Sequence, residues 1–101
     1  MWILVLFDLP TETKKNRSDA AKFRKNLLEE GFTMLQFSIY ARHCSSVDNM
    51  SVHLKRVKAF LPEVGQVGIM SLTDKQFADI RMFNGTKPID MIPPGIQLEM
   101  F

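Results

Sequence analysis

Hydrophobic positions open the chain as one block: Trp2-Ile3-Leu4-Val5-Leu6-Phe7 follow Met1 without a polar break, and Asp8 and Pro10 then stop the run. A strand exposed on one face would alternate, so an unbroken run reads as a short strand buried on both sides. Aspartate is poor in strands and proline cannot donate to a ladder, so the strand ends at Asp8 or just after it. Asp8 is thereby placed at the carboxyl end of a sheet, where open α/β sheets gather ligands and metals. An aspartate there also serves simply to begin the turn into the next element.

From about Thr13 to Glu30, apolar residues recur at Ala20, Phe23, Leu27 and Leu28, the spacing of one helix face, and Gly31 supplies the stop. From Phe32 to about Ala41 the period changes to two, with Leu35, Phe37, Ile39 and Ala41 on one face. The segment reads as a strand, and the order of elements leaves room for a hairpin inside Phe32 to Cys44. Ser45 and Asp48 have the spacing of a capping box, after which Val47, Met50, Leu54, Val57 and Leu61 mark a second amphipathic helix that Pro62 ends. Val64 to Leu72, with Gly65 and Gly68, reads as a strand against which something packs closely. Thr73 to Gln76 resembles another capping box, so one helical turn is expected, then a short strand up to the turn signal Asn84-Gly85. Thr86 to Gly95 carries Pro88, Pro93 and Pro94 and reads as a loop, and residues 96–101 alternate as a last strand.

The order fits an α+β fold, a ferredoxin-like βαββαβ sandwich with an additional C-terminal strand, in a single domain over residues 1–101. Two helices cover only one face of such a sheet, yet the strands at Met1 to Phe7 and Phe32 to Tyr40 are apolar on both sides. The remaining face needs a lid, and a second copy about a twofold axis is the simplest one, so a homodimer is expected.

Composition adds three constraints. At 101 residues and 46% hydrophobic content, the chain holds one core without staples. The lone Cys44 excludes an internal disulfide and fits a reducing cytoplasm, and Asp8 and Pro10 make the apolar start too short for a signal peptide or a membrane span. A cytoplasmic protein with no membrane partner is expected. The net charge of +2 is mild, but nine of the thirteen cations fall in two stretches: Lys14, Lys15, Arg17, Lys22, Arg24 and Lys25, then Lys55, Arg56 and Lys58. The first six lie on the helix arc opposite Phe23 and Leu27, as a phosphate-binding ridge or a solvated helix surface would. His53 lies beside an apolar stripe and is read as packed or superficial. His43 next to Cys44 is only one pair, a weak zinc signal.

Phe7-Asp8-Leu9-Pro10 closing an apolar strand, the basic helix, Glu30-Gly31-Phe32 leading to Gln36-Phe37-Ser38-Ile39-Tyr40, and Thr73-Asp74-Lys75-Gln76-Phe77 together resemble the family of CRISPR-associated protein two, especially its type II form. The resemblance covers nearly the whole chain. It implies a ferredoxin-like homodimer whose C-terminal segment, here residues 86–101, reaches the partner subunit. It also implies a role with the CRISPR integrase, CRISPR-associated protein one, in capturing duplex DNA prespacers and inserting new spacers. Members are described as metal-dependent endonucleases on RNA or DNA, so single-stranded RNA is a further substrate to consider. The family's metal-binding aspartate maps onto Asp8, preceded by Phe7 where tyrosine is common, and Tyr40 matches the aromatic that ends the second strand. Arg17 and Arg24 are candidates for the family's first-helix arginines, and Asp90 and Glu99 for integrase contacts.

Mg²⁺, or Mn²⁺ in its place, prefers six oxygens, keeps several waters and is held by one or two carboxylates together with substrate phosphate. One chain offers Asp8; a twofold axis near the ends of the first strands would bring two such carboxylates together. No histidine or lysine is obviously placed as a general base, so hydrolysis would rest on the metal, as a slow enzyme or none. Two other readings stand beside the nuclease. One is a scaffold whose duplicated basic ridges bind duplex phosphates in a salt-dependent way. The other is a ferredoxin-like RNA-binding or small-ligand regulatory module, against which stands the missing Lys/Arg-Gly-aromatic signature.

Overall fold

The computed structural model of the chain describes residues 1–89. Seven elements are β1 (Trp2–Asp8), α1 (Lys14–Glu29), β2 (Thr33–Gln36), β3 (Ile39–His43), α2 (Val47–Ala59), β4 (Gln66–Leu72) and α3 (Asp74–Ala78). A small hairpin, β5 (Met82–Asn84) and β6 (Lys87–Ile89), completes them. The strand expected at 96–101, with Asp90 and Glu99, lies outside the described residues.

The four-stranded sheet has the order β2-β3-β1-β4, with every neighbouring pair antiparallel. β3 thus lies between β1 and β2, and β1 between β3 and β4, which is the split arrangement of the ferredoxin-like plan. β1 occupies the centre, as its continuous apolar run requires. Alternation sends Ile3, Val5 and Phe7 into a cluster with Phe23 and Leu27 of α1 and Met50 and Val57 of α2. Trp2 and Leu4 point the other way, into a cluster with Ala41 and Phe77. Each fully buried Ile or Val on this strand contributes roughly 1.5–3 kcal/mol relative to exposure.

That second cluster corrects the idea that one sheet face is bare. α3 begins on a complete capping box, in which Gln76 N donates to Thr73 Oγ1 at 3.1 Å and Thr73 N to Gln76 Oε1 at 2.9 Å. It delivers Phe77 onto Trp2 in a parallel stack, 3.8 Å between ring centroids. Trp2 and Leu4 are consequently 0% and 6% exposed within a single chain. Among the described residues, Leu6, Asp8 and the half-exposed Met70 beside Leu4 are left open on that face.

The hairpin that the βαββαβ order allows within Phe32 to Cys44 is present, and three further expectations are corrected. Phe32 to Ala41 is a hairpin that turns at Phe37-Ser38, with a register shift between Met34 and Gln36. The N-cap of α2 is Ser46, whose hydroxyl accepts from Asn49 N at 3.0 Å, one residue beyond Ser45. In α2 the buried stripe is Met50, His53 and Val57, while Val47 and Leu61 are exposed, as is Leu28 on α1. Lys87–Ile89, expected in a loop, is a strand, and Pro88 is tolerated because, among the described residues, β6 pairs only with β5.

Candidate nucleic-acid and metal site

The exit from β1 is fixed by backbone contact. Gly65 has φ +98°, and a Cβ there would lie 2.9 Å from the Asp8 carbonyl oxygen and 2.7 Å from Leu9 Cδ2. Only glycine lets the chain entering β4 press this closely on Asp8-Leu9-Pro10. Gly68 lacks that role, since a Cβ there would meet only Leu6 O at 3.8 Å. Across the sheet, Asp8 stands opposite Gln66. On the other side, Phe7 N donates to Ser38 O at 3.1 Å, tying the β2–β3 turn to β1. Leu6, Phe7, Asp8, Ser38, Ile39, Gln66 and Gly68 border a hollow of about 380 Å³.

Asp8 is exposed and makes no ion pair among the described residues. None of its neighbours around the hollow is basic, so among the described residues its charge is uncompensated. Phe7 alternates to the helix side, where it meets Phe23 edge-on at 5.2 Å and Tyr40 at 5.6 Å. Tyr40 is 2% exposed and does not border the hollow; it is core support for Phe7.

The six cations of α1 separate into distinct roles. Lys14 and Lys22 are exposed and unpaired among the described residues. Lys15 lies 3.0 Å from Asp19 and 3.9 Å from Glu63, and the hydrogen bond and charge of Asp19 raise its ammonium above the ordinary lysine value. Lys25 lies 4.0 Å from Glu29. Arg17 turns back on the loop before the helix and donates to Thr11 O at 3.0 Å. Arg24 leaves the ridge: its guanidinium carbon sits 4.1 Å from the Phe37 ring centroid and 5.5 Å from that of Phe7. Acidic side chains interleaved at Asp19 and Glu29 therefore leave a weaker ridge than the cations alone imply.

His53 is buried and clamps two helices together. Its Nδ1 lies 2.8 Å from Glu30 Oε1, which also accepts from Arg56 at 3.2 Å, while Asn49 Nδ2 lies 3.4 Å from Nε2. Burial pushes the Glu30 carboxyl up, but the hydrogen bonds from His53 and Arg56 and their charges outweigh it and hold the group below the ordinary glutamate value. His43 Nε2 is 3.4 Å from Asp74 Oδ1. Burial raises the Cys44 thiol above its ordinary value, so the His43-Cys44 pair offers no thiolate.

Among the described residues no group of three or more His, Cys, Asp or Glu side chains converges to hold a metal. The donor set at Asp8, one open carboxylate in a hollow with room for ligand oxygens, still fits Mg²⁺ or Mn²⁺, which needs only one or two carboxylates besides water and phosphate. A histidine- and cysteine-rich zinc site does not fit. The family model described as CRISPR associated protein Cas2 matches residues 1–80, which include the strand, helix and hairpin that build this end of the sheet. The chain belongs to the CRISPR-associated Cas2 family.

Three relatives span almost their whole length with it, each named CRISPR-associated endoribonuclease Cas2. The protein from Flavobacterium psychrophilum is 54% identical over 101 residues, covering all of this chain and 88% of its own. That from Parvibaculum lavamentivorans is 48% identical, covering 97% and 99%. That from Ligilactobacillus salivarius is 42% identical, covering 86% of each. Within this Cas2 chain, sequence reasoning missed the pairing of Arg24 with Phe37. The only signal for it was a phenylalanine beside a serine at the point where a hairpin could turn. No helix among the described residues is long and apolar enough to cross a membrane.

Proposed function

We propose that the protein is a nucleic-acid-binding homodimer with a metal-dependent phosphodiesterase site on Asp8, acting beside the CRISPR integrase in spacer acquisition. The observation that carries this reading is the uncompensated Asp8 carboxylate at the open end of the central strand, in a chain of this family. The name endoribonuclease on the relatives supports RNA as a substrate, and the exposed Lys14 and Lys22 support contact with phosphates of a duplex prespacer.

A second copy packed on the open half of the sheet face would cover Leu6, Ile39 and the exposed Met70, and would bring a second Asp8 close. Two carboxylates that converge repel, and a divalent cation relieves that repulsion. Mg²⁺ or Mn²⁺, when bound, polarises a phosphoryl oxygen and makes water a stronger nucleophile. The chain's own part is to fix Asp8 through Gly65 and the Phe7–Ser38 bond, and to keep one side of the hollow apolar.

The test is Asp8→Ala, assayed on labelled RNA and duplex DNA with Mg²⁺ or Mn²⁺, with light scattering to give the mass. Loss of cleavage by a particle of twice the chain mass supports the site. Undiminished cleavage assigns the activity elsewhere, and retained spacer integration with the integrase would leave scaffolding as the biological role.

A further inference from the structure

The turn between β2 and β3 carries the most exposed large apolar side chain among the described residues, Phe37, at 68%. Exposed turns usually take glycine, asparagine, aspartate or serine, so a phenylalanine there costs solvation and calls for a reason. Its environment is specific. Arg24 reaches across from α1 and lays its guanidinium on the ring at 4.1 Å, within cation–π range, while also lying 5.5 Å from Phe7. The Nε of Arg24 is buried without a hydrogen-bond partner, and no carboxylate pairs with this side chain among the described residues. Among the described residues, a positive charge with no counter-charge is thus held against an aromatic ring most of which is open to solvent.

The pair is anchored to the candidate site. Ser38, next to Phe37, accepts from Phe7 N and borders the hollow with Asp8, which directly follows Phe7. From this arrangement we infer that Arg24 and Phe37 form a subsite for one unpaired nucleotide, its base stacked on Phe37 and its phosphate on the Arg24 guanidinium. A planar guanidinium already stacked on a ring loses less freedom when it takes a phosphate than a free lysine would. Bases inside a duplex are stacked on one another and offer no face to an external ring, so the subsite selects single strands, frayed ends or splayed nucleotides. Aromatic stacking tolerates every base, so the selection concerns strandedness rather than sequence. This inference deepens the reading of Asp8 as a nucleic-acid site by naming the form of substrate that reaches it.

The experiment is fluorescence anisotropy of the full-length chain without divalent metal, using single-stranded RNA, single-stranded DNA and a DNA duplex of equal length at one fixed salt concentration. Phe37→Ala should weaken binding of both single strands about tenfold and leave the duplex unchanged. Phe37→Trp should restore single-strand binding, and Arg24→Lys should weaken it several-fold despite keeping the charge. Single-strand affinity within twofold of wild type in Phe37→Ala would overturn the inference, as would an equal loss on the duplex. A change of oligomeric mass in Phe37→Ala would overturn it too, since the ring would then be a protein contact. Because no metal is present, the result stands apart from Asp8: undiminished cleavage by Asp8→Ala would defeat the metal site and leave this subsite intact.

Discussion

The two ends of β1 are built for opposite purposes. At one end Trp2 is wholly buried, stacked on Phe77 and edge-on to His43 at 5.2 Å, and α3 closes the sheet over it. At the other end, six residues along, Asp8 is exposed, flanked by Gln66, Ser38 and a glycine, with nothing of the described chain laid over it. A single strand thus carries core packing at its start and an uncompensated charge at its finish. The Asp8 side chain contributes no packing, so its own substitution is expected to leave the fold intact.

The largest effect that separates the ends is expected from Phe77→Ala or Trp2→Ala, which removes the stacked pair and opens a cavity; each should cost about 3–5 kcal/mol in denaturant unfolding. A loss under about 1 kcal/mol would mean that α3 is not what closes the sheet. Next comes Gly65→Ala, which forces a left-handed backbone on alanine and a collision with the Asp8 carbonyl, at roughly 1–3 kcal/mol. Gly68→Ala is its control and should be neutral, because no backbone strain and only one ordinary contact await its methyl.

A smaller effect lies at neither end. The Glu30 carboxyl is held below its ordinary value of 4.5, so its share of stability is complete above that pH and is lost as the pH falls through the lower, folded value. Thermal melts of wild type should therefore drop on acidification below about pH 4.5, and Glu30→Gln should flatten that drop while lowering stability at neutral pH. An identical acid limb in both proteins would remove the clamp from the account. Asp8→Asn is expected to be the smallest, within about 0.5 kcal/mol, because the group is exposed and unpaired among the described residues. A marked loss would show that Asp8 is structural after all.

Most of the fold was legible because its signals were redundant. The apolar run and Pro10 define β1, Thr73 and Gln76 define the cap of α3, and Gly31 ends α1 with φ +87°. A hairpin within Phe32 to Cys44 was open to the sequence, but its turn could not be placed, because Phe37-Ser38 carries no glycine or asparagine and no described residue other than glycine has positive φ. Ser45 and Ser46 each have an acceptable residue three positions on, Asp48 and Asn49, so spacing alone could not choose between them. His53 was missing from the buried stripe because its partner Glu30 lies on a different element, 23 residues away. Of the candidate site, Asp8 could be read from the strand end, whereas Arg24 looked like one more ridge cation until its ring partners were known.

The most direct measurement of the central claim, that two copies join their open strand ends around a shared cation, is a calorimetric titration of Mn²⁺ into wild type and Asp8→Asn. The account predicts one ion per two chains in wild type and no saturable binding in the variant, with both proteins equally stable. Equal binding by the two, or one ion per chain, would contradict it.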